Sequence, residues 1–372
     1  MLPYTGDYIE HIDYNKNNFK YYTFTPRPLM YGNMYKMDDE LSALLIEAHR
    51  NIGFLEGLLK YAPNKDAFSK LMLLKECVYS LMVDYDSLSF HDVLAIRGGG
   101  KGNVAPINNL ELAYKEARNR TISAPVLSEL CRIALYGDAT GKSIDVRDKQ
   151  TFLLGVKTNI KTYNPTAPDA VLPALADISA YIYNDKDTDS LIKAALVHYQ
   201  FEMIHPFEQY NGIIGRVIVP MVLCDIINEA LPLMCLSEYL YHNKNEYFDL
   251  LRTTQYSGGY IRWVKFFVSA IGETAKQSSK MLIQYENAIA EDEKILCTTK
   301  SKDRSVWVVY NNLKKFPLSS TSHAKEQTGL SFNTVSKVFS ILKAMNIVEQ
   351  QGTNTRNRIW KYLKLELALD EP

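Results

Sequence analysis

Apolar residues recur at spacings of three and four along most of the chain, which predicts a mainly helical protein. Leu41, Leu44, Leu45, Ala48, Ile52, Leu55, Leu58 and Leu59 mark a first amphipathic helix; Asp39 or Ser42 is placed to start it, and Pro63-Asn64 ends it. A second runs from about Asp66 to Val83, with Phe68, Leu71, Leu74, Cys77, Val78 and Leu81 on one side. Helical spacing returns over 110–119, 125–135, 172–183, 191–204, 236–240, 247–252 and 261–281, while 217–227 is almost wholly apolar. Residues 1–36, rich in Tyr, Asn and Pro, lack a period and read as an extended arm held by its aromatics. Residues 137–162 read as a loop or β-hairpin.

The pattern restarts near Ser301, after a polar link over 291–300. Val306 to Leu313 predicts one helix, Ser319 or Ser320 caps another through Glu326, and Thr328-Gly329 turns. Ser331 caps a third helix over 332–344, with Val335, Val338, Phe339 and Leu342 inward. Two strands follow, 347–350 and 358–362, around a polar turn at 352–357. Helix, helix, turn, helix and hairpin resemble a winged helix-turn-helix, so three regions are expected: 1–100, 101–290 and 301–366.

Lys and Arg number 42, as do Asp and Glu, and this neutrality argues against a globally electrostatic nucleic-acid or membrane binder. The last seventy residues carry about twice as many basic as acidic groups, so neutrality hides a basic tail. Asn333, Thr334 and Lys337 are its base- or phosphate-facing candidates, with Arg356 and Arg358 on the wing; DNA is the partner they imply, although such modules also dock proteins. Five scattered cysteines form no Cys-x-x-Cys pair, so neither a disulfide framework nor a zinc site is expected. No apolar run approaches about 20 residues, and no signal pattern opens the chain. A cytoplasmic protein without membrane partners is expected.

The chemistry concentrates in residues 201–216, Phe-Glu-Met-Ile-His-Pro-Phe-Glu-Gln-Tyr-Asn-Gly-Ile-Ile-Gly-Arg. An apolar helix ends at His205-Pro206 and another begins after Asn211-Gly212. The first N–H groups of the new helix lack intrahelical partners, so an anion can accept from them. His205 can take a proton at neutral pH, and Arg216 can grip phosphate oxygens with two parallel bonds. Arg97-Gly98-Gly99-Gly100-Lys101-Gly102-Asn103 looks like a second phosphate loop, but it lacks the Gly-x-x-x-x-Gly-Lys-Ser/Thr spacing and reads as an interhelical loop.

The 201–216 stretch resembles the active-site loop of the Fic (filamentation induced by cAMP) family, His-Pro-Phe-x-Asp/Glu-Gly-Asn-Gly-Arg-x-x-Arg. His205, Pro206, Phe207, Asn211, Gly212 and Arg216 match it in order and spacing, and the likeness extends over most of residues 15–290. The resemblance implies a Fic-type helical bundle with a small β-hairpin flap, carrying AMP from ATP to a Ser, Thr or Tyr hydroxyl of a protein target, itself included. It makes His205 the general base, has Asn211, Gly212, Gly215 and Arg216 hold phosphate, and has Phe207 anchor the loop. Three positions depart. Gln209 replaces the acid that holds Mg²⁺, an ion the family leads one to expect; Tyr210 replaces a glycine and calls for another backbone conformation or fills space; Ile213 replaces a cation. Losing a metal ligand and a charge weakens transition-state stabilisation. The rival expectation is therefore a catalytically impaired Fic-fold regulator working through its C-terminal module.

Two further segments resemble Fic features. Ser80 to Tyr85, followed by Ser89-Phe90-His91-Asp92-Val93-Leu94, aligns with an inhibitory helix, placing Asp84 on its glutamate with Ser80 at the motif's start. The resemblance implies that Asp84 pairs with Arg216 and restrains nucleotide binding, with a helix-end role as the alternative. Arg147 and Gln150 keep the Arg-x-x-Gln spacing of the flap that aligns a target segment as an added strand. The sequence leaves a homo-oligomer open.

Overall fold

The computed structural model describes residues 5–13, 19–32, 34–139, 141–154, 161–225, 234–298, 303–351 and 358–370. They are mainly helical. The chain divides into two compact units, one comprising Met1–Arg50, Asn108–Leu231 and Leu236–Glu273, the other Asn51–Ile107, Pro232–Cys235 and Thr274–Pro372.

In the first unit the arm is an antiparallel hairpin, β1 (Gly6–Asp13) and β2 (Phe19–Pro26), rather than an unpaired extended segment. Phe24 is buried and meets Tyr8, which in turn stacks on Tyr256. Helix α1 (Asp39–Tyr61) is started by Asp38, whose carboxylate accepts from the Leu41 N–H at 2.8 Å, not by Asp39 or Ser42. The other elements of this unit are α4 (Ala105–Ala117), α5 (Ala124–Tyr136), the strand pair β3 (Leu153–Leu154) and β4 (Lys161–Tyr163), and α6 (Pro168–Asn184). Pro168 opens α6, where a missing N–H costs nothing.

Helices α7 (Ser190–Ile204) and α8 (Asn211–Val222) form the centre of this unit. Every residue of α7 from Ala194 to Ile204 is buried, which explains why it lacks a polar stripe. Helices α9 (Leu236–His242), α10 (Lys244–Ser257) and the first part of α11 (Tyr260–Thr298) complete it. Trp263 of α11 is fully buried and donates its indole N–H to the Ala195 carbonyl at 2.7 Å.

In the second unit, α2 (Lys65–Asp84) and α3 (Phe90–Arg97) precede the glycine run; Ser89 and Asp92 close a capping box on α3. Helix α11 passes unbroken through the expected polar link to Thr298, because Ile289 and Leu296 are buried and the buried Asp292 carboxylate meets Lys364 at 2.8 Å. The C-terminal elements run α12 (Arg304–Leu313), β5 (Leu318–Ser320), α13 (Thr321–Thr328), α14 (Phe332–Ala344), β6 (Val348–Gln351), β7 (Ile359–Tyr362) and α15 (Leu363–Asp370). Their strands form an antiparallel sheet in the order β5-β7-β6. Ser320 and Ser331 cap α13 and α14 through the N–H groups of His323 and Thr334. The turn at 352–357, with Arg356, lies outside the described residues. β5 and α15 have no counterpart in the periodicity.

The glycine run lies against β5. Ser320 N–H donates to the Gly98 carbonyl at 2.6 Å, and a Cβ on Gly98 would sit 2.0 Å from the Leu318 carbonyl oxygen. Close backbone approach, rather than phosphate binding, accounts for this glycine. The C-terminal helix adds a second tie: the buried Lys75 ammonium of α2 donates to the Leu369 carbonyl at 3.0 Å. Gly98→Ala should therefore lower stability by about 1–3 kcal/mol, as overpacking does; urea denaturation of the full chain measures it, and an unchanged midpoint would refute the close-packing account.

Candidate active site

The turn between α7 and α8 is shaped by two residues in the left-handed region. His205, at φ 51° and ψ 62°, closes α7, its N–H donating to the Phe201 carbonyl at 2.9 Å. Proline after it forbids continuation of the helix. Tyr210, at φ 68° and ψ 15°, opens α8. Tyr210 thus keeps the conformation a glycine adopts freely, instead of the different one expected of it, at a cost of order 1 kcal/mol. Its ring is half-buried, and burial beside Cys131 pushes its hydroxyl pKa up.

Asn211 holds the turn closed. Its amide oxygen accepts from the Phe207 N–H and its amide nitrogen donates to the Phe207 carbonyl, both at 2.8 Å, inside a site that leaves Asn211 2% exposed. Phe207 is buried beneath the turn near Phe201, as an anchor should be. Glu208 and Gln209 are exposed, and the Cys131 thiol donates to the Gln209 carbonyl at 3.8 Å. The first helical hydrogen bond of α8 joins Ile214 N–H to the Tyr210 carbonyl, so the N–H groups of Asn211, Gly212 and Ile213 precede the ladder and point into the turn.

The remaining candidates divide. Arg216 is 1% exposed. Gly215 faces α7: a Cβ there would come 2.2 Å from Glu202 Oε1 and 3.2 Å from the His198 ring, so it serves the helix contact. Arg147 lies under the turn rather than toward a target. Its backbone N–H donates to the Pro206 carbonyl at 2.9 Å, and its guanidinium donates to the carbonyls of His205 (2.7 Å), Ile204 (3.1 Å), Lys149 (3.1 Å) and Thr166. Burial lowers its pKa to about 10. Gln150 donates to the Thr151 and Pro165 carbonyls at 2.9 and 3.1 Å. The pair β3–β4 stands where the flap is expected; residues 155–160 lie outside the described ones.

Ser80 is fully buried in α2, and Asp84 is the exposed last residue of that helix; both belong to the second unit, Arg216 to the first. On α14, Asn333 and Lys337 are exposed and Thr334 half-exposed, and Arg358 is exposed before β7.

Sequence reasoning missed His198. This fully buried ring donates from Nδ1 to the Gly215 carbonyl and accepts at Nε2 from the Tyr247 hydroxyl, both at 2.9 Å, while stacking on Trp263. Its place on an apolar face was legible; its two partners, 17 and 49 residues away, were not.

No group of three or more His, Cys, Asp or Glu could hold a metal among the described residues, and no helix there is long and apolar enough to cross a membrane.

Burial, opposed by the Gly215 bond and aided by Arg216, lowers the His198 pKa to about 3 from its ordinary value near 6.5. A histidine held neutral stabilises fully above its unfolded pKa, and this contribution is lost as pH falls toward the folded one. Stability should accordingly fall between pH 6.5 and 3, and more gently in His198→Gln; parallel denaturant titrations across that range would show equal slopes if His198 were irrelevant.

Comparison with known proteins agrees with this geometry. Residues 126–223 match the Fic/DOC family. Over 170 residues the chain is 26% identical to a probable protein adenylyltransferase of Aquifex aeolicus (strain VF5), a match covering 44% of this chain and 47% of that protein. Over 64 residues it is 34% identical to a protein adenylyltransferase of Caenorhabditis briggsae, covering 16% and 12% respectively. The chain thus spans half or less of the curated relatives it matches. A crystal structure of a Fic family protein from Desulfovibrio desulfuricans G20 shares the fold at 15% identity, covering 89% of this chain and 98% of that one with a TM-score of 0.58. With a buried helix pair, a braced His-Pro turn and the matched segment in one place, residues 126–223 form a Fic domain of the Fic/DOC family.

Proposed function

We propose that the chain is a protein adenylyltransferase that moves AMP from ATP to a hydroxyl side chain of a protein. The observation that carries this reading is the turn itself: His205 in a fixed left-handed conformation, beside the open N–H groups of α8 and the buried Arg216. His205 takes the hydroxyl proton as the oxygen attacks the α-phosphorus; the new P–O bond forms as the bond to the bridging oxygen breaks, and pyrophosphate leaves. The N–H groups of Gly212 and Ile213 face phosphate oxygens, and Arg216 supplies the positive charge. Arg147 and Asn211 hold the histidine and the helix start in register. The β3–β4 pair offers an edge along which an extended target segment can align.

Magnesium does not fit the donor set. Gln209 offers a neutral amide, and the exposed Glu208 is its acidic neighbour. No step is routed through the ion.

A second reading, a regulator acting through residues 303–370, is favoured by a specific observation. The order helix, strand, helix, helix, strand, strand leaves Asn333, Lys337 and Arg358 exposed on a module richer in basic than acidic residues. Lys337→Ala should weaken duplex binding across sequences and reduce its salt slope by about one. Fluorescence anisotropy at several salt concentrations tests this; no binding at low salt removes the DNA reading.

Intact mass after incubation with ATP and Mg²⁺, for the chain alone and mixed with candidate proteins, tests the main proposal. One adenylyl group is expected on a protein hydroxyl and none with His205→Ala. An adduct that survives His205→Ala overturns the assigned base, and no transfer at all favours the regulator.

A further inference from the structure

Within the first unit, the chain leaving β2 and the first half of α6 enclose a cavity of about 560 Å³ whose lining includes no residue of the α7–α8 turn. Proline, alanine and tyrosine make most of its wall, and Asp7, Thr25, Arg27 and Asp177 are the polar members. The Arg27 side is rigid. Pro26 and Pro28 flank Arg27 with fixed φ. The Arg27 N–H donates to the Thr5 carbonyl, and its carbonyl accepts from Gln200 Nε2 of α7, both at 2.9 Å. The guanidinium carbon lies 5.5 Å from the centre of the Tyr31 ring, an attraction that leaves its N–H donors unused. Among the described residues the Arg27 side chain makes no hydrogen bond or ion pair; the buried Tyr260 hydroxyl, a neutral group, also feels its charge.

Asp177 contributes the opposite charge. It is half-buried on α6, burial alone pushes its pKa up, and it makes no hydrogen bond or ion pair among the described residues. A guanidinium and a carboxylate thus line one cavity without meeting each other. A ligand of one sign would leave the other group without a partner, and the second carboxylate, Asp7, further disfavours a plain anion. A zwitterion answers both. The buried Thr25 hydroxyl, also without a partner among the described residues, can add a hydrogen bond. The volume lies within the range of small-molecule sites, and the proline and alanine wall suits an apolar group. We infer that this cavity binds a free amino acid with an apolar or aromatic side chain, its carboxylate on Arg27 and its ammonium on Asp177.

Titration calorimetry of the full chain with L-phenylalanine, phenethylamine and 3-phenylpropanoate tests this, since the last two each lack one of the charges. L-Phenylalanine should bind at least about tenfold more tightly than either. In folded Arg27→Gln protein its advantage over phenethylamine should vanish, and in folded Asp177→Asn protein its advantage over 3-phenylpropanoate; denaturant midpoints check folding. Phenethylamine binding the parent protein as tightly as L-phenylalanine does would make this an amine site and overturn the inference. No heat from L-phenylalanine up to about 10 mM, or an affinity unchanged in both variants, overturns it as well.

Discussion

A helix that stops inside a protein leaves its last carbonyls without partners, and burying them unpaired is costly. Helix α7 stops in that way, and one guanidinium resolves it. Arg147 reaches the carbonyls of Ile204 and His205 and ties them to those of Lys149 and Thr166. Because the guanidinium has five donors in a rigid fork, it can satisfy several carbonyls at once, and a lysine could not reproduce that geometry. The position of His205 depends on this brace, since its carbonyl and the peptide on either side are held by it.

A second set of ties fixes the start of α8 relative to the end of α7. Asn211 clamps the Phe207 peptide from both sides, His198 holds the Gly215 carbonyl, and Trp263 holds the Ala195 carbonyl. With both helices buried, the turn has little freedom to relax. That rigidity lets a tyrosine remain left-handed at position 210, because packing and hydrogen bonds elsewhere outweigh about 1 kcal/mol of backbone strain.

Much of this was legible in the sequence where local chemistry decides structure. The three-and-four spacing located α1, α2 and the C-terminal helices, and Ser331 capped α14 where expected. The His-Pro pair marked the turn. Legibility ended where a residue's role depends on distant partners. The β1–β2 hairpin was hidden because Tyr8, Ile9, Ile12 and Tyr22 are all exposed, so neither face gives a clean alternation. α11 looked interrupted because its charged residues find partners such as Lys364 seventy residues on. Arg147 was recognisable as significant from its spacing with Gln150, yet spacing cannot say whether a guanidinium faces a target or the carbonyls of a helix end.

The scaffold of the site rests largely on backbone groups. Gln209 joins the scaffold by its backbone carbonyl, which any residue supplies, and Tyr210 keeps the required left-handed conformation. Ile213 fills buried space on α8. The braces made by Arg147, Asn211 and His198 end on the backbone carbonyls of His205, Phe207 and Gly215. Hydrogen bonds to backbone carbonyls, which any residue supplies, thus set where His205 stands.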